Sequence, residues 1–258
     1  MLPGRSVLPG RSVLPLHLIT MKPRLVLAGV FPLLLTLLAS GCNPTPRRYP
    51  VTIDASIVGG LNMVEEYLLR YRLERAIDSV TTYFDEPFKD TLRVFIFEDG
   101  RPRAWDRRIY LSRYSSRSTE IIIHEVTHAV LRPQGSSFAM EGQAMFSEYQ
   151  FTSKRVRLPA LFQFGYGGNG DTLMPLKYFI DNDTSYWAND KVEALGYSEA
   201  GSFYQFLDER FGREKARELY RRGLNEIEPT YGMSLDSLEG EWRRWLFGDA
   251  SRDTVKVL

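Results

Sequence analysis

The chain has one cysteine, three histidines and almost no excess charge, and each shortage removes a class of function. The single cysteine, Cys42, allows no intramolecular disulfide and excludes a metal site built from several thiolates. Lysine and arginine number 33 against 32 acids, so a net charge of +1 gives no reason to expect nucleic acid or an anionic surface as the main partner. Long apolar runs are also lacking. The stretch Leu25 to Leu38 is short for a bilayer-spanning helix, carries Pro32 and runs directly into the polar residues Asn43 to Pro50. A hydrophobic share of 43% over 258 residues is nonetheless ample for the core of one domain.

The same short apolar run has the layout of a secretory signal. Met21, Lys22, Pro23 and Arg24 form a positive start, Leu25 to Leu38 an apolar centre, and Ala39, Ser40 and Gly41 are small residues directly before Cys42. Leu38 to Cys42 resembles the lipobox of bacterial lipoproteins, with Ala39 where leucine is commonest. That resemblance implies a signal peptide over 21–41 and a lipid on Cys42, placing the mature chain in the bacterial cell envelope. Asn43 after the cysteine, by the same analogy, points to the outer membrane, facing the periplasm or the exterior. Residues 1–20 contain the hexapeptide LPGRSV twice in succession and precede the well-formed start at Met21, so they read as a mis-assigned start rather than part of a fold.

Residues 42–60 read as the lipidated cysteine and a tether, since prolines and arginines there follow no helical period. The domain is expected over 61–258. Met63, Tyr67, Leu68, Tyr71, Leu73, Ala76, Ile77 and Val80 recur at three- and four-residue steps, which predicts one amphipathic helix stopping before Pro87. Thr91 to Phe97 reads as a strand and Ile109 to Leu111 as a second, with Asp99 and Gly100 turning between them. Helices follow at about Glu120 to Leu131 and Ser137 to Gln150, then at Ser198 to Phe211, Arg213 to Leu224 and Leu235 to Leu246. The stretch 154–189, rich in glycine, has no assignable element. The fold class is therefore α+β, a small N-terminal sheet followed by a mainly helical region.

His124, Glu125, Val126, Thr127 and His128 form an HExxH motif. On a helix, imidazoles four residues apart project from one face, so both can bind one metal ion, while Glu125 lies about 100 degrees round, near the ion without being a forced ligand. Glu125 is thus placed to act as general base on a water activated by zinc. His17 falls in the segment ahead of Cys42, so both histidines of the mature chain lie in this motif. Ile121, Ile122 and Ile123 before it and Ala129 and Val130 after it predict burial, which leaves polar groups inside the protein in need of a ligand. Glu141, thirteen residues after His128, is the candidate third ligand, with Gly142 beside it permitting close helix approach. Glu148, two turns further on the same face, is an alternative ligand or a partner for one of the histidines.

HEVTH followed by MEGQAMFSE resembles the gluzincin zinc metallopeptidases, specifically peptidase MA-like proteins, whose pattern is HExxH, a short loop and a helix with Glu-Gly-x-Ala. The likeness extends more weakly through Gly196 to Gly212 and Ser234 to Leu246. It implies a zincin-like fold, Zn2+ held by His124, His128 and Glu141, and a peptide or protein substrate. Tyr197, 56 residues past Glu141 and followed by Ala200, matches the slot of an oxyanion-stabilising tyrosine in related aminopeptidases, though among fourteen tyrosines a structural role is as good a reading. The family's tryptophan ahead of Glu-Gly is missing, since Ala139 and Met140 stand there. The Gly-x-Met-Glu-Asn string of the aminopeptidase branch is missing too, which favours endopeptidase action. By the same likeness, Ile109 to Leu111 is expected at the sheet edge along which an extended peptide lies, an ordinary edge strand being the equal alternative. The competing class is a catalytically inactive envelope lipoprotein that keeps the fold for binding, and the presence of Glu125 argues against it.

Overall fold

The computed structural model describes residues 49–132, 136–152, 173–182 and 190–248. Residues 1–20, the signal segment and Cys42 lie outside the described residues, as do most of 154–189. The fold is α+β. Four strands, β1 (Val51–Asp54), β2 (Leu92–Phe97), β3 (Arg103–Trp105) and β4 (Arg108–Ser112), form one sheet in the order β1-β2-β4-β3. β1 pairs with β2, and β2 with β4, in parallel, with Val51 opposite Leu92 and Val94 opposite Ile109. β3 is antiparallel to β4, with Ala104 opposite Ile109.

Alternation explains the sheet. Leu92, Val94 and Ile96 of β2 and Ile109 and Leu111 of β4 are buried on one face. Phe95 and Tyr110 stack on the other with ring centroids 5.2 Å apart. Two expectations need correction. Val51–Asp54 is a strand of this sheet rather than tether, so the folded domain begins before residue 61; four residues are too few to show a period until their partner strand is known. Ile109 to Leu111 lies inside the sheet, and the edges are β1 and, beside β4, β3, whose three residues carry no sequence period.

Helix α1 (Met63–Phe84) starts on a capping box, in which the Asn62 side chain accepts from Val64 N and Glu65 N while Glu65 accepts from Asn62 N. It buries Leu69, Leu73, Ala76, Ile77, Val80, Tyr83 and Phe84. Met63, Tyr67, Leu68 and Tyr71, expected on the same stripe, face solvent instead. Three- and four-residue steps recur on both sides of this helix, so spacing alone merged two faces into one.

The other regular elements among the described residues are mainly α-helices: α2 (Thr119–Leu131), α3 (Ser137–Phe151), α4 (Leu176–Asp181), α5 (Asp190–Phe211), α6 (Arg213–Arg222), α7 (Ile227–Tyr231) and α8 (Leu235–Gly248). α2 packs against α1, α3 and the edge strand β3, and α3 lies along α5. Gly212, at φ 86°, separates α5 from α6 in a conformation that a side chain would strain. Trp242 of α8, wholly buried, meets Phe203 of α5 edge-on at 5.5 Å and ties the C-terminal helix to the centre of the molecule.

Candidate metal centre

The Ser118 side chain caps α2 by accepting from Ile121 N at 3.2 Å, which fixes where the helix begins and so which face His124 and His128 share. Ile122, Ile123, Val126, Ala129 and Val130 bury the remainder of α2. The helix ends at Arg132, whose φ of 61° is rare for a residue with a side chain and turns the chain sharply. α3 is capped in turn by Ser136, which accepts from Ala139 N, and it carries Glu141 back against α2. Gly142 makes the approach of α3 to α5 possible. A Cβ there would stand 2.7 Å from the Ala200 carbonyl oxygen.

Three atoms converge at this junction. His124 Nε2 lies 3.1 Å from Glu141 Oε2, His128 Nε2 lies 3.2 Å from Glu141 Oε2, and the two imidazole nitrogens are 3.2 Å apart. Bonds of about 2.0–2.1 Å to a tetrahedral ion would separate its ligand atoms by about 3.3 Å. The triangle fits that requirement, and the three residues could hold a metal ion. The charges fit as well. Burial would make the His124 imidazole neutral, but the hydrogen bonds it donates to the Glu141 and Glu148 carboxylates outweigh burial and raise its pKa to about 10. Glu141, despite its own burial, is held well below the usual carboxylate range by His128 and His124. A divalent cation would satisfy this carboxylate in place of the protons.

Glu148 Oε2 stands 3.5 Å from the other nitrogen of His124, Nδ1, and so turns Nε2 toward the junction. Of the two roles the sequence left open, Glu148 has the histidine partner's geometry. Glu125 is only 4% exposed, and its Oε2 has no hydrogen-bond partner among the described residues. Burial raises its pKa, with the two histidines opposing and Glu141 and Glu148 reinforcing the shift. A buried oxygen left this way is destabilising unless a water or substrate proton reaches it. The Tyr197 ring is 6.0 Å from the His124 ring, centroid to centroid, so α5 brings it to the same junction.

The chain gives no match to any protein-family profile, curated protein or solved structure.

His124, Glu125, His128, Glu141, Glu148 and Tyr197, all singled out from the sequence, therefore meet at one place, while Cys42 is outside the described residues. The sequence reading missed a buried carboxyl group. Glu199, wholly buried on α5, accepts from Met174 N at 2.9 Å, and desolvation outweighs that bond and the Arg243 charge to raise its pKa to about 8. The available signal was its place four residues before Phe203 on a buried helical stripe.

Proposed function

We propose that the protein is a zinc-dependent peptidase with a zincin-like fold, lipid-anchored through Cys42 in the bacterial cell envelope, at the outer membrane. The observation that carries this reading is the triangle of His124 Nε2, His128 Nε2 and Glu141 Oε2, at 3.1–3.2 Å, on the same helix pair as the unpartnered Glu125 Oε2. Two imidazoles and one carboxylate suit zinc, and three protein ligands are what a catalytic zinc site takes. Bound there, zinc supplies a Lewis acid that makes water acidic near neutral pH and polarises a carbonyl.

The residues of the chain supply the rest. Glu125 Oε2, with no hydrogen bond to surrender among the described residues, takes the proton of the attacking water and returns it to the amine nitrogen as the peptide C–N bond breaks. The raised Glu125 pKa favours the second half of this cycle, in which the acid form must hold a proton. Glu148 keeps His124 oriented, and the Tyr197 hydroxyl is assigned to the oxyanion. β3, the antiparallel edge strand packed against α2, offers main-chain pairing to an extended peptide, the part first expected of β4.

The test is zinc content and cleavage of a mixed peptide library by purified residues 43–258, beside Glu125→Gln. Zinc near one per chain, with cleavage lost in Glu125→Gln, is the expected result. Zinc without turnover by either protein would assign the fold to binding, and no zinc would remove the basis of both.

A further inference from the structure

The first turns of α1 are apolar on the side away from the core. Met63, Val64, Tyr67, Leu68 and Tyr71 are 86%, 66%, 67%, 40% and 44% exposed. At about 100 degrees per residue they fill an arc of about 140 degrees, opposite the buried Leu69, Leu73, Ala76, Ile77 and Val80. From Glu74 onward the outward side becomes polar, with Glu74, Arg75, Asp78 and Thr82. The outward side is thus apolar only at the beginning of the helix, where Glu65, Glu66, Arg70 and Arg72 lie outside the apolar arc, a pattern that calls for a covering surface.

The path of the chain toward Cys42 says what covers it. The Tyr49 hydroxyl donates to Asp78 Oδ1 at 3.2 Å, and Arg70 Nη1 donates to the Val51 carbonyl at 2.7 Å, so residues 49–51 lie alongside α1. Tyr49 is seven residues from Cys42, a span of at most about 25 Å. Along the helix, Asp78 and Tyr71 are separated by about 10 Å and Asp78 and Tyr67 by about 16 Å. A bilayer holding a lipid on Cys42 is therefore within reach of the exposed face.

We propose that the outward face of α1 over Met63–Tyr71 docks on the headgroup–acyl boundary of the phospholipid bilayer that anchors Cys42. The inference rests on the lipid-anchor part of the proposed function and is independent of peptide hydrolysis. Tyr67 and Tyr71 carry a polar tip on an apolar ring, as residues at that boundary do, and Arg72 and Arg75 flank them with guanidinium groups for lipid phosphate. The anchor and this face reinforce one another, because a tethered face meets the bilayer at high effective concentration.

The test couples the mature chain through Cys42 to a maleimide lipid in phosphatidylethanolamine–phosphatidylglycerol vesicles with brominated acyl chains. Two tryptophan reporters are compared, Tyr67→Trp within the face and Thr82→Trp on the same side beyond it. Quenching at position 67 at least about threefold greater than at 82 is expected. In the uncoupled chain 43–258, Met63→Glu with Leu68→Glu should lower vesicle binding roughly tenfold with near-UV circular dichroism unchanged, since both positions are exposed. Equal quenching at the two positions overturns the proposal. So does a lipid-free dimer abolished by Met63→Glu with Leu68→Glu, which assigns the face to a second copy. Unacylated Cys42 in membrane fractions also overturns it, while leaving the peptidase reading standing.

Discussion

Replacing Gly142 by alanine tests whether the junction is set by the contact between α3 and α5. An added Cβ would lie 2.7 Å from the Ala200 carbonyl oxygen, 3.1 Å from its carbon and 3.4 Å from its Cβ. The obstacle is backbone inside a helix, so no side-chain rotation relieves it and the helices must part by several tenths of an ångström. Alanine in a helix gains about 1 kcal/mol over glycine, whereas overpacking of a tight interface costs about 1–3 kcal/mol. With backbone against backbone the upper part of that range applies, giving a net loss of about 1–2 kcal/mol. Gly240 provides the control: in α8 its added Cβ would meet nothing nearer than an Arg244 guanidinium nitrogen at 3.7 Å, so Gly240→Ala should stabilise by about 0.5–1 kcal/mol. Urea unfolding of both variants is the assay. Since α3 also carries Glu141, Gly142→Ala should weaken metal affinity as well, read by competition with a chelator. Equal, favourable shifts for the two glycines would refute the close approach.

Metal binding should release protons, because His124, with its pKa raised to about 10, is protonated in the metal-free protein at pH 7 and must become neutral to ligate. Calorimetry in buffers of different ionisation enthalpy should give about one proton per ion at that pH, and affinity should rise with pH; heats that do not depend on the buffer would contradict it. Glu148→Gln should reduce metal affinity by about 10–100-fold through loss of the His124 Nδ1 contact, with thermal stability of the metal-free protein changing far less. Glu199 makes an opposite kind of statement about pH. Its folded pKa, about 8, lies above the ordinary 4.5, so its contribution to stability is complete below about pH 4.5 and is lost as pH rises toward 8. Glu199→Gln should remove this slope, on the order of 1.4 kcal/mol per pH unit, when unfolding is measured between pH 5 and 8. A slope unchanged by the substitution would show that Glu199 is ionised in the folded protein.

Local patterns made the two helices of the candidate metal centre legible. The HExxH spacing and the apolar residues around it depend on interactions within a few residues, and the helices lie at Thr119–Leu131 and Ser137–Phe151. The pairing partner of β1, the edge position of β3 and the burial of Glu199 depend on residues far along the chain, and no local period carries them.

The two faces of α1 show the division most clearly. The three- and four-residue recurrence of Met63, Tyr67, Leu68, Tyr71, Leu73, Ala76, Ile77 and Val80 determines that the segment is a helix, because a helix is what such a period costs least to build. Which of those residues enter the core is decided by what packs against them, and the sheet and α2 take Leu73, Ala76, Ile77 and Val80 while leaving Met63, Tyr67, Leu68 and Tyr71 outside. The junction divides the same way. Sequence alone determined that His124 and His128 share a face, from 3.6 residues per turn. Only the tertiary structure decided that Glu141 rather than Glu148 meets their Nε2 atoms, because that depends on how α3 packs against α2, a contact between segments that no local period records.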